Sequence, residues 1–236
     1  MAKEFARGFV SRRHRHTRAQ LLYAVDGVME VSTEWGLWVI PPQRAVWIPP
    51  EVDHEVCFRT AASVRTLYVD VSAIPAGAPH DPCAVNVSPL LRELILRATM
   101  MPMAYQEDGH DGRIIALALA EIEWAEDHPL HMPVFKDGRL LTISQTLQAN
   151  PADARTLDDW AQEVNTSSRT LARLFRAETG TSFIHWRQQV RVLASLPRLA
   201  AGEAIANVAL DLGYETSGAF AAMFRRLMGI VPSRYF

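Results

Sequence analysis

Two stretches toward the C-terminal end of the sequence carry the same apolar rhythm. Leu157, Trp160, Ala161 and Val164 recur at i, i+3, i+4 and i+7, the spacing that lines side chains along one stripe of an α-helix. Ile205, Val208, Ala209 and Leu212 repeat the arrangement 48 residues later. Beyond a short polar turn the offset becomes 49: Leu171, Leu174, Phe175 and Arg176 align with Phe220, Met223, Phe224 and Arg225, Gly180 with Gly229, and Trp186 with Tyr235. One added turn residue accounts for the change. Each copy reads helix, polar turn, helix, glycine stop, aromatic, which is a tandem helix-turn-helix. Asn165 to Ser168 and Gly213 to Ser217 supply capping side chains ahead of the second helix of each copy.

Upstream the period shortens. Leu21–Val25, Val28–Ser32, Leu37–Ile40, Ala45–Ile48, Glu55–Phe58 and Val64–Val71 are short β-rich runs, separated by Asp26-Gly27, Glu34-Trp35-Gly36, Pro41-Pro42 and Pro49-Pro50. That punctuation predicts a small antiparallel barrel or sandwich. Pro89–Thr99 and Arg113–Trp124 read as helices around a Met100–Gly112 loop, suited either to dimer contacts or to packing on their own barrel. A break at Pro129–Pro133 precedes a helix over Asp137–Gln148, predicted to pack under the first helix-turn-helix. Ser182–Ala201 reads as a helix of roughly 30 Å connecting the two copies. Pro197 is expected to kink or end it, because the Leu193 carbonyl loses its donor.

Charge sharpens this picture. The chain carries a net −2, which alone gives no reason to suspect nucleic acid. Pro151 to Phe236, however, holds 10 Arg against 8 acids, and only Lys3 and Lys136 are lysines. Helical geometry groups Arg169, Arg173 and Arg176 on one side, opposite Leu171, Leu174 and Phe175. Arginine is well matched to phosphates and guanine edges. No apolar run is long enough to span a membrane, and Met1–His16 lacks a signal-peptide core. Cys57 and Cys83 show no metal or redox spacing and suit a reducing cytoplasm.

Leu157 through Ala161, Ser168-Arg169-Thr170-Leu171-Ala172-Arg173-Leu174-Phe175, Thr179-Gly180, Ser182-Phe183, Gly213-Tyr214, Phe220, Phe224-Arg225-Arg226, Gly229, Pro232 and Arg234-Tyr235 resemble the AraC/XylS family of transcription regulators. The resemblance covers Thr156–Phe236. It implies two recognition helices, Ser168–Glu178 and Ser217–Met228, entering adjacent major grooves of a DNA operator about 34 Å apart, a separation near the length of the Ser182–Ala201 connector. Ser168, Arg169, Thr170, Arg173 and Arg176 would face DNA from the first, and Ser217, Gly218, Ala221, Ala222 and Arg225 from the second.

His14-Arg15-His16, Gln20, Gly27, Pro49 and His54 resemble the small N-terminal cupin of some AraC-type regulators, over about Ser11–Asp70. His14 and His16, two apart on a strand, project to one face, as chelation requires. His54 offers a third imidazole. Gln20 stands where metal-binding cupins usually carry glutamate. The set either holds a divalent metal or hydrogen-bonds an effector. Tyr23, Trp35, Trp38 and Trp47 are barrel core, or line an apolar pocket in which Tyr23 or Trp47 flanks the effector.

These features together predict an α+β two-domain chain: a cupin-like small β-barrel over residues 1–80, a helical linker or dimerisation region over 81–135, and an all-α double helix-turn-helix domain over 136–236. The expected function is a cytoplasmic, effector-controlled DNA-binding transcription regulator, not an enzyme. A homodimer is expected, with RNA polymerase as a further candidate partner and both activation and repression compatible with the architecture. The competing reading is a metal-dependent cupin enzyme carrying a DNA-binding appendage. A third is a cupin-scaffold DNA-binding protein that senses nothing.

Overall fold

Alternating apolar and polar positions generate the strands, and the computed structural model describes residues 1–124 and 130–236. Its Cα positions separate into two units, Met1–His131 and Met132–Phe236. The described strands are β1 (Ala2–Phe5), β2 (Val10–His14), β3 (Ala19–Asp26), β4 (Met29–Ser32), β5 (Gly36–Ile40), β6 (Arg44–Ile48), β7 (His54–Phe58), β8 (Ala62–Val69), β9 (Cys83–Asn86), β10 (Glu123–Trp124) and β11 (His131–Pro133). One sheet has the order β1-β8-β3-β6-β9-β10 and the other β11-β5-β4-β7-β2. The six anticipated strands of Gln20–Asp70 correspond to β3 through β8. The Asp26-Gly27 turn joins β3 to β4. Gly27 has φ +80°, and a Cβ there would lie 2.2 Å from the Ala61 carbonyl oxygen, so only glycine fits.

Strand alternation sorts the side chains into two cores. Leu22, Ala24, Trp38, Ile48, Val56 and Phe58 fill the space between the sheets. Leu21, Tyr23, Trp47 and Val85 lie on the opposite face of the six-stranded sheet. There they are covered by Leu91 and Ile95 of α1 (Pro89–Thr99) and Ala118 of α2 (His110–Ala120). Of the two roles open to these helices, packing on their own sheet is what their buried faces do. Residues of the expected 81–135 linker thus contribute the strands β9 and β10 and two helices to the N-terminal unit.

The second helix differs from its expected bounds of Arg113–Trp124. It begins at His110 and stops at Ala120, because Glu123 and Trp124 pair instead with Asn86 and Val85 as a sheet strand. Of the anticipated Pro129–Pro133 break, Pro129 lies outside the described residues, and His131–Pro133 is strand.

The second unit contains α3 (Gly138–Ala149), α4 (Leu157–Glu163), α5 (Ser168–Thr179), α6 (Phe183–Ala200), α7 (Ile205–Asp211) and α8 (Ser217–Met228). Helices α4 and α7 have the same length, as do α5 and α8. The repeat extends to the turns. Asn165 (φ 50°) and Gly213 (φ 78°) take left-handed conformations, and the next amides, of Thr166 and Tyr214, close onto Ala161 and Ala209 carbonyls at 2.8 and 3.0 Å. Ser167 and Thr216 then cap α5 and α8, with one extra residue ahead of Thr216. Both helices end at left-handed glycines, Gly180 and Gly229, as helix C-termini favour.

Helix α6 does not stop at Pro197. It continues to Ala200, and the Ala201 amide reaches the Pro197 carbonyl at 3.1 Å. Near the last turn a proline forfeits one hydrogen bond without denying the carbonyls after it their donors, so the helix persists. α3 packs on α6 with Leu140, Ile143 and Leu147 buried, where a helix under the first motif was expected.

Candidate nucleic-acid interface and effector site

Helix α5 separates its faces sharply. Leu171 and Phe175 are fully buried, whereas Arg169, Arg173 and Arg176 are exposed. Neither Arg173 nor Arg176 has an ion-pair partner among the described residues. Ser168 hydrogen-bonds the Asp158 carboxylate of α4, and Thr170 receives the Ser167 hydroxyl at 3.0 Å. These two hydroxyls therefore brace the turn while the arginines remain available. On α8, Phe220, Met223, Phe224 and Met228 are buried. Ser217, Gly218, Ala222 and Arg225 are exposed, and Ala221 is half-buried.

Several contacts fix these helices in place. A capping box between Thr156 and Asp159 starts α4, satisfying amides that would otherwise lack partners. α7 has no side-chain cap. Arg198 of α6 instead ties down its flanks, bonding Glu203 just before it and Asp211 at its end. The Glu178 carboxylate at the end of α5 accepts the Lys136 and Asp137 amides at 2.7 and 3.1 Å.

In the N-terminal unit the three histidines converge, their candidate ligand atoms all within 4.8 Å of one another. His14 and His54 sit opposite each other on β2 and β7. His16 arrives differently from expectation: β2 ends at His14 after a register shift, so His16 joins from the following loop, not from the same strand face. Its ring lies 4.8 Å from that of His14 and 5.4 Å from that of His54.

Tautomers follow from the backbone. His14 Nδ1 donates to the Arg12 carbonyl at 2.7 Å, and His54 Nδ1 to the Val52 carbonyl at 2.9 Å. A ring that donates through Nδ1 leaves Nε2 as a lone pair, the arrangement metal-ligating histidines use. Nε2 of His16 and His54 is buried without a partner, as is Oε1 of Gln20. Burial, then the His14 imidazole, lowers the His16 pKa. Burial also lowers that of His54, against the opposing Val52 hydrogen bond and with further lowering by His14 and His16. Both shifts favour the neutral, ligating form.

Gln20 shares the strand face of Leu22 and Ala24, which points between the sheets, and is 5% exposed. Opposite it on β8 stands Tyr68, whose ring meets His16 edge-on at 4.9 Å. Sequence reasoning missed Tyr68. Its place in the Val64–Val71 run was visible, but the β3–β8 register that brings it to His16 was not.

Tyr23 and Trp47 require correction as effector-flanking residues. Tyr23 is three positions from Gln20, so it points to the other face of β3, and Trp47 likewise alternates with Ile48. Both are buried with α1 and α2, and Trp47 packs against Trp124 at 5.2 Å. Trp38 is inter-sheet core, and Trp35 packs against that core partly buried.

Comparisons with known proteins agree with this division. The helix-turn-helix domain family matches residues 160–236, and the AraC-like ligand binding domain family matches residues 4–94. HTH-type transcriptional regulator NimR of Escherichia coli (strain K12) is 34% identical over 222 residues, covering 94% of this chain and 81% of NimR. HTH-type transcriptional regulator RipA of Corynebacterium glutamicum is 37% identical over 93 residues, 39% of this chain and 28% of RipA. The structure of ToxT from Vibrio cholerae aligns over 100% of this chain and 96% of its own at 11% identity, with a TM-score of 0.42. Among the described residues no helix is long and apolar enough to cross a membrane. With its N-terminal ligand-binding domain and C-terminal DNA-binding helix-turn-helix domain, the chain belongs to the AraC family of transcription regulators.

Proposed function

We propose that this regulator grips its operator through α5 and α8 and takes its effector signal at the imidazole cluster, where His14, His16 and His54 hold a divalent metal beside Gln20. Arg169, Arg173, Arg176 and Arg225 reach phosphates or base edges. Ser217, Gly218, Ala221 and Ala222 let α8 approach the groove closely, and Ser168 and Thr170 brace α5. The protein works as a cytoplasmic homodimer that binds and does not catalyse, with RNA polymerase as its further partner. Residues 136–236 carry the DNA-binding function and residues 1–80 the sensing core.

The observation that carries the metal reading is the inward, unpartnered pair of Nε2 atoms with Nδ1 already committed to backbone carbonyls at His14 and His54. Neutral imidazoles and an amide leave the charge of a bound divalent ion uncancelled, so the site would favour an anionic or carbonyl effector group. One observation favours a second reading. Tetrahedral ligands about 2.0–2.1 Å from zinc stand roughly 3.3 Å apart, whereas the histidine atoms spread to as much as 4.8 Å. Rings that need not close further would serve as hydrogen-bonding groups for a polar part of the effector.

Elemental analysis of protein purified without a histidine tag decides between the two: stoichiometric metal supports the first and its absence the second. In either case His16→Ala should impair effector response while leaving operator binding largely intact. An unchanged effector response in that variant refutes both.

A further inference from the structure

The DNA-binding unit contains a cavity of ≈ 730 Å³, within the ~300–1,000 Å³ range of small-molecule pockets. Leu157, Ala172, Ala177, Phe183 and Ile184 supply its apolar surface, contributed by α4, α5 and α6. Arg173 and Arg176 of α5 and Arg187 of α6 also line it, and no carboxylate does among the described residues. Arg187 is held in place by a 2.9 Å bond to the Arg155 carbonyl. A mostly apolar cavity with three guanidiniums and no acid selects for one chemistry. Planar guanidiniums bind carboxylates in a bidentate manner and stack on aromatic faces, whereas a cation would be repelled and a neutral apolar molecule would desolvate the arginines without compensation.

We infer that this cavity is a second ligand site, distinct from the imidazole cluster, which binds an aryl carboxylate and excludes DNA while occupied. The exclusion rests on the reading of α5 as the DNA-facing helix: Arg173 and Arg176, paired with the ligand carboxylate, are withdrawn from phosphates and bases. The site itself does not depend on that reading. The regulator would then carry one sensing input in each unit.

The test uses the full chain and three probes of similar shape: biphenyl-4-carboxylate, biphenyl-4-methanol and biphenyl-4-methylammonium. Calorimetric titration should show the carboxylate binding at least about tenfold more tightly than the others, a difference near 1.4 kcal/mol. Ala177→Trp fills the cavity from an exposed helix position and should weaken carboxylate binding about tenfold or more, while Ala177→Ser should leave it unchanged. Circular dichroism of each variant establishes that the fold is kept. Fluorescence anisotropy with a labelled random-sequence duplex should show the carboxylate releasing wild-type protein but not Ala177→Trp. Equal binding of all three probes, absence of binding, or carboxylate binding indifferent to Ala177→Trp overturns the site. Binding that responds to Ala177→Trp yet leaves the duplex attached overturns the exclusion, and the failure then lies with the DNA-facing reading of α5.

Discussion

Phe135 packs into the aromatic core of the C-terminal unit, and its removal should be costly. The residue precedes α3 and is 4% exposed. Its ring stands edge-on to Phe175 at 5.9 Å and to Trp186 at 5.4 Å, within the range where aromatic pairs attract beyond their buried area. The amides of Lys136 and Asp137, bonded to Glu178, hold the chain so that the ring cannot drift outward. Truncating a buried phenylalanine to alanine costs about 3–5 kcal/mol. Against a domain stability of roughly 5–15 kcal/mol, that loss is a large fraction. Two fragments test it, one beginning at Met132 and the other at Lys136. With a urea m-value of roughly 1–3 kcal/mol/M, the shorter fragment should unfold at a midpoint lower by about 2 M, and Phe135→Ala in the longer one should reproduce the shift. Helicity at 222 nm against urea concentration is the measurement. Superimposable curves for the two fragments would falsify the assignment of Phe135 to this core.

Three further outcomes follow from separate features. Arg173→Ala should weaken operator binding and relax specificity in one half of the site, by about 1–3 kcal/mol if its contact is bidentate; binding-site selection from random DNA giving equal information in both halves counts against it. The side-chain hydrogen bonds from Arg139 lower the Asp137 pKa to about 2, below its ordinary unfolded value near 3.9. The resulting stabilisation is present above that value and lost as pH falls through about 2, so Asp137→Asn should flatten the acid limb of unfolding, though modestly for a surface pair. An acid limb unchanged by the substitution would show that the pair contributes nothing. Gly27→Ala should destabilise the N-terminal unit strongly, because the new Cβ meets the Ala61 carbonyl at 2.2 Å with φ at +80°; a melting temperature within a degree or so of wild type would contradict the geometry.

Much of this fold was written in local periodicity. The offset of 48 and then 49 residues located both helix-turn-helix copies, and the structure places the additional residue before the Thr216 cap, where Tyr214 and Glu215 take the place of Thr166. What local patterns do not contain is register and the end effects of tertiary pairing. Arg113–Trp124 reads as one helix, yet Glu123 and Trp124 lie outside it, because β9 offers them backbone partners. His16 was expected on the strand with His14, but the register shift ends β2 first. The assignment of Tyr23 and Trp47 to the imidazole cluster is a different kind of error. Two-residue alternation already puts Tyr23 and Gln20 on opposite faces of one strand, so the sequence held the correction. Tyr68, by contrast, needed the β3–β8 register.

The two copies of the motif share a backbone plan but not a surface. α5 turns three arginines outward, and its Ser168 and Thr170 are held by Asp158 and Ser167. α8 turns out Ser217, Gly218, Ala222 and Arg225, of which the glycine and alanine cannot hydrogen-bond a base. Small side chains permit a close backbone approach and can meet a thymine methyl, but bidentate contacts to guanine require arginine or lysine. Discrimination between operators should therefore concentrate in α5, with α8 contributing attachment and spacing along the same face of DNA. This division gives the α4–α5–α6 cavity its consequence. A ligand that engages Arg173 and Arg176 would act on the helix in which that discrimination is expected to concentrate.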